Sequence, residues 1–66
     1  MPRGVVISFD EYVGLGEVRT AAGVTHRFHC VEIADGTRTI EVGAPVEFDV
    51  LVKFGDEEAA QLRPVP

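Results

Sequence analysis

His26, His29 and Cys30 lie within five consecutive residues and carry both imidazoles and the only thiol of the chain. Imidazole and thiolate are the usual ligands of zinc, and a Cys beside a His can also form a nucleophile and its base. Either chemistry requires the side chains to share one face. The segment has strand character, and residues one or three positions apart on a strand point to opposite faces. We therefore predict neither a metal site nor a catalytic pair here, and no cofactor.

Carboxylates are the other groups that could do acid–base chemistry, and they form two short runs, Asp10-Glu11 and Asp56-Glu57-Glu58. Both runs border predicted turns, where water solvates charge. Acid–base catalysis by two carboxylates requires burial that drives their pKa values apart, and nothing in the sequence around these runs indicates such burial. The chain is predicted not to be an enzyme.

The length, cysteine count and net charge of the chain limit the other classes of function that it can have. The 66 residues suit one small domain spanning 1–66. No apolar run approaches the roughly 20 residues that cross a bilayer, so no membrane association is predicted. A single cysteine fits a reducing, cytoplasmic setting. The net charge of −5 would repel a phosphate backbone unless the charges segregate by face.

The sequence pattern predicts five short strands, which would position any functional site, and a single helical turn at residues 30–33. Turn signals at Gly14, Gly23 and Asp35-Gly36, and a loop at residues 53–56, separate strands at 3–9, 15–20, 25–29, 44–52 and 57–63. This pattern predicts a small all-β barrel. The apolar positions predict a core of Val5, Val18, Phe28, Ile33, Ile40, Val46, Phe48, Val50 and Leu62.

Three segments resemble the cold-shock domain family: Gly4 to Asp10, Val13 to Val18 and His26 to Ile33. The resemblance continues through residues 35–40, 43–48 and 59–60, so that it runs along nearly the whole chain. The resemblance implies a five-stranded antiparallel barrel of the OB-fold type. Ser8 stands where the family has a tryptophan. Leu15, Glu17, Arg27 and Cys30 stand where it has phenylalanines.

Cold-shock domains bind single-stranded RNA or DNA by stacking bases on aromatic side chains of the first three strands. The resemblance places Ile7, Ser8, Phe9, Val13, Leu15, Glu17, Arg27, His29 and Cys30 on or near that face. Phe9 and His29 remain as stacking groups, Arg27 can stack through its guanidinium plane, and Tyr12 could reach the face from the first loop. Each stacked base contributes about 1–3 kcal/mol, so the lost aromatic groups predict weakened binding.

A second function is a protein-contact or self-association surface. Ile7, Val13 and Leu15 are apolar where the family has lysines and an aromatic residue, and Glu17 puts a carboxylate where a base would lie. Together they could form an apolar patch with a polar edge, which often marks a protein partner. The third possibility is that they are scattered surface residues without a function.

Overall fold

The computed structural model describes residues 2–33, 39–53 and 55–65. The strands are β1 (Arg3–Asp10), β2 (Leu15–Thr20), β3 (Thr25–His29), β4 (Pro45–Lys53) and β5 (Asp56–Pro64), with a 3₁₀ helix at Cys30–Glu32 after β3. Each predicted strand is confirmed to within one residue at either end. The predicted Asp35-Gly36 turn and Phe54 of the predicted loop lie outside the described residues. Among the described residues, no helix has the length and apolar character to cross a membrane.

The strands close into a barrel in the order β1-β2-β3-β5-β4, which confirms the predicted small all-β barrel and agrees with an OB-type fold. Four of the junctions are antiparallel, and β3 with β5 is parallel. An odd number of strands cannot alternate in direction all the way round a closed ring. One parallel junction is therefore unavoidable. Here Arg27 of β3 pairs with Glu58 of β5, and Ile33, just beyond β3, pairs in parallel with Leu62.

The core fills the inside of the barrel. Six of the predicted core residues are buried, and Ile40 packs against them while partly exposed. Val6, Ala59 and Ala60 are buried as well, although they were not predicted. The confirmed residues are Val18, Phe28, Ile33, Val46, Phe48 and Leu62.

Two core predictions are wrong. Val5 is 42% exposed because its neighbour Val6 takes the inward position on β1, and the alternating pattern alone could not decide between two adjacent valines. Val50 is 41% exposed. The β1–β4 pairing ends at Glu47, so β4 continues beyond it without a neighbour on that side to cover Val50.

An irregularity in β1 sets which residues face outward. The register with β2 shifts between Val6 and Ser8, so that Val6 pairs with Val18 while Ser8 pairs with Glu17. Ile7 and Ser8 consequently both lie on the outer side, and Phe9 returns to the inner side. Such a β-bulge redirects side chains without ending the strand.

Candidate functional site

The outer surface of β1, β2 and β3 carries two rows of side chains that cross all three strands. Cross-strand pairing aligns Ser8, Glu17 and Arg27 in the first row and Asp10, Leu15 and His29 in the second. We call these six residues the sheet face. The face therefore brings together five of the residues that the resemblance places there, namely Ser8, Leu15, Glu17, Arg27 and His29.

Phe9 lies at the inner side of this sheet, not on its outer surface. Its ring stacks on Phe28 with centroids 5.9 Å apart and planes within 3° of parallel. Gly16 is the residue between them on β2, and its lack of a side chain leaves room for the stack. Phe9 remains partly exposed. It can offer a base only its uncovered part, because Phe28 covers one ring face.

Arg27 is the one cation of the sheet face. Its side chain is exposed and forms no hydrogen bond or ion pair with any described residue. It lies between two carboxylates, Glu17 on β2 and Glu58 on β5. The guanidinium plane is therefore available to a ligand, but in a locally acidic setting.

His29 is held by Glu58. Its Nδ1 donates to Glu58 Oε1 at 3.2 Å, while the ring remains partly open to solvent. The sequence pattern does not predict this partner, because Glu58 belongs to an acidic run next to a predicted turn, where water is expected to solvate the carboxylates. Contact across the parallel β3–β5 junction joins residues 29 positions apart.

The β1–β2 turn carries Tyr12 and Val13 beside the sheet face. The Asp10 side chain orders this turn, because its Oδ1 accepts hydrogen bonds from the backbone N–H groups of Tyr12, at 3.0 Å, and Val13, at 3.2 Å. Tyr12 is 98% exposed, so its ring has almost no contact with the rest of the chain. Val13 is also exposed.

The two histidines lie on opposite sides of β3, as the strand period predicts. His26 is only 8% exposed, with its ring 5.6 Å from that of Phe48. Its Nδ1 donates to the Glu57 carbonyl oxygen at 3.4 Å. Among residues 2–33, 39–53 and 55–65, no three His, Cys, Asp or Glu side chains are placed to hold a metal ion.

The predicted apolar patch is divided by the structure. Leu15 and Glu17 line a shallow depression of about 330 Å³ together with Ser8 and Arg27. Ile7 instead lines a separate depression of about 440 Å³ nearer the start of β1. We call the second depression the apolar groove. Its main residues are Arg3, Val5, Ile7, Arg19, Ala21, Pro45 and Val65.

Charge on and around the sheet face is negative. Asp10, Glu17 and the neighbouring Glu58 oppose a single guanidinium, that of Arg27. Ser8 Oγ donates to Glu17 Oε1 at 3.2 Å, which holds one of these carboxylates at the centre of the face. Long-range attraction of phosphate is therefore weak at this surface.

No protein-family model matches the chain, and no curated protein shows significant similarity to it.

Proposed function

We propose that the sheet face is a weak binding surface for single-stranded RNA or DNA. The observation that carries the proposal is the exposed guanidinium of Arg27 beside His29 on the outer side of β3. Both can stack on a base, and Arg27 can also meet a phosphate oxygen. Tyr12 and the open part of Phe9 border this surface and would extend it along a strand of nucleotides.

The acidic surroundings make this interface weak, and its single cation makes the dependence on salt shallow. Single-stranded nucleic acid loses affinity with salt in proportion to the phosphates that a protein contacts, with a logarithmic slope of about −0.7 for each contact. With Arg27 as the single cation of the face, the slope should be about −0.7 in total. Fluorescence anisotropy of labelled oligopyrimidines should then show about threefold weaker binding between about 50 and about 200 mM salt.

Arg27→Ala should weaken oligonucleotide binding about tenfold, equivalent to about 1.4 kcal/mol, and should bring the salt slope close to zero. Arg63→Ala is the matched control, since it removes the same charge from a side chain that already contacts Glu47 and Asp49. The control should retain wild-type affinity within about twofold. Equal losses in both variants would mean that only net charge matters and that Arg27 has no specific role.

Tyr12→Ala tests stacking without disturbing the barrel. Because the ring is almost fully exposed, the free energy of unfolding should stay within about 0.5 kcal/mol of wild type. Affinity for the same oligonucleotides should fall by about 1 kcal/mol, or about fivefold, if the ring stacks on a base. Tyr12→Phe should retain the affinity. Unchanged binding in Tyr12→Ala would place the loop outside the interface.

Protein contact is the alternative use of the sheet face, through Leu15 and Glu17 with Val13 at its border. Leu15→Lys distinguishes the two functions. It adds a cation that should strengthen nucleic-acid binding, whereas it should damage an apolar protein contact. Absence of oligonucleotide binding at high protein concentration, in the wild type and in Leu15→Lys alike, would remove the nucleic-acid proposal.

A further inference from the structure

We propose that the chain also associates with a second copy of itself, with the β4–β5 arm of one copy lying in the apolar groove of the other. The arm comprises residues 50–53 of β4 and 56–57 of β5. The apolar groove lies apart from the Arg27 and His29 side chains, whereas Asp56 and Glu57 of the arm line one depression with Arg27. The inference does not rest on the nucleic-acid function, because none of its arguments requires a bound nucleotide.

The apolar groove has the composition of a contact surface. Val5 is at its centre, paired across β1 with Arg19 of β2 on one side and Pro45 of β4 on the other. Ile7 and Val65 extend its apolar floor. Exposed apolar surfaces with a polar edge often bind another chain.

Two arginines line the apolar groove, and their charge favours a binding segment that carries a carboxylate. Arg3 already contacts Glu47, with Nη2 2.9 Å from Oε1. Arg19 is exposed and forms no ion pair with any residue that the structure describes. The groove therefore suits a segment that presents apolar side chains together with a carboxylate.

The β4–β5 arm is such a segment. Val50, Leu51 and Val52 are all substantially exposed. Asp56 and Glu57 are exposed on the paired strand, and neither has an ion-pair partner in the described part of the chain. The sequence of the arm also contains Lys53, so the carboxylates of Asp56 and Glu57 outnumber its cations by two to one.

The occupant must come from another copy. The groove includes Pro45, at the start of β4, whereas the arm is at the other end of the same strand. At about 3.3 Å per residue, the strand from Pro45 to Lys53 is roughly 26 Å long, which prevents the arm from reaching its own groove. Two such contacts between different surfaces either close a dimer or continue into an open chain.

Reversing the charge of Arg19 or of Glu57 tests the proposed self-association. Sedimentation equilibrium at up to about 1 mM protein measures the weight-average mass of each variant. The wild type should show reversible association. Arg19→Glu and Glu57→Arg should each weaken it at least tenfold, because each places like charges in the contact. An equimolar mixture of the two variants should associate like the wild type, since every groove then meets an arm of opposite charge.

Two features make the outcome decisive. Glu57→Arg lowers the net negative charge and therefore the general repulsion between copies. If net charge alone controlled association, this variant would associate more strongly than the wild type, which is the opposite of our expectation. Glu11→Arg, an exposed site in the β1–β2 turn, is the control with the same charge change and should retain association.

A wild type that stays monomeric throughout, or a mixture that stays monomeric, would overturn the proposal. Arg19→Glu should bind oligonucleotides within about twofold of wild type, and Glu57→Arg, which places a cation near Arg27, should bind them at least as tightly as wild type. Loss of self-association without loss of oligonucleotide binding keeps this test separate from the nucleic-acid proposal.

Discussion

Gly16→Ala is expected to destabilise the barrel by about 3 kcal/mol, the upper part of the range for overpacking a core. A Cβ at this position would lie 2.5 Å from Phe28 Cζ and 2.8 Å from the backbone oxygen of Ser8. Neither neighbour can move easily. Phe28 is fully buried and stacked on Phe9, and the Ser8 oxygen belongs to the adjacent strand.

The loss would be a large share of the total stability, since a domain of this length has roughly 3–10 kcal/mol. Urea unfolding followed by circular dichroism measures it. Gly43→Ala is the control, because Gly43 has a φ of 95° but nothing within 4 Å of an added Cβ. It should lose about 1 kcal/mol from backbone strain alone. A Gly16→Ala protein as stable as this control would show that Phe28 has room to move.

Ser8→Trp combined with Glu17→Phe should increase affinity for single-stranded oligonucleotides about 100-fold, or about 2.7 kcal/mol. The two positions form one cross-strand pair on the sheet face, so both rings would project outward beside Arg27. The substitutions add two stacking groups and also remove a carboxylate from the centre of the face. We discount the sum of two stacking contributions because neighbouring substitutions are not additive.

Ser8→Ala combined with Glu17→Gln separates the two effects, because it removes the charge without adding a ring. This control should improve binding by less than about tenfold, measured by the same anisotropy titration. If the aromatic variant gains no more than the control, stacking is not what the sheet face lacks, and the proposed base-binding surface would be wrong.

Strand positions could be predicted from the sequence because local signals specify them. Gly14 and Gly23 have positive φ angles and mark the turns before β2 and β3. Val46 and Phe48 alternate with polar residues and are both buried. By contrast, the β1 bulge has no local signal, so the inward position of Val6 had to come from the structure.

The candidate site was less predictable than the strands, because its chemistry depends on contacts between distant residues. Arg27 and His29 are exposed, in alternation with the buried His26 and Phe28, on the face where the family resemblance places them. The link from His29 to Glu58 depends on how β5 meets β3, which no short-range pattern encodes. The apolar groove likewise combines β1, β2, β4 and Val65 near the end of the chain.

The parallel junction between β3 and β5 has a consequence for how the barrel opens. One residue pair joins β3 to β5, a second parallel pair, Ile33 with Leu62, follows just beyond β3, and both histidines of β3 reinforce the junction through the Glu57 carbonyl and the Glu58 carboxylate. Local opening favours the part of a fold with the fewest bonds to break. We therefore expect local opening of the barrel to begin at the β3–β5 junction. During folding, this junction should form after the β1–β2, β2–β3 and β4–β5 hairpins, whose contacts are closer in sequence. If the proposed nucleic-acid binding drew His29 away from Glu58, it would also weaken this junction, and hydrogen exchange in β3 and β5 would then speed up when oligonucleotide is added.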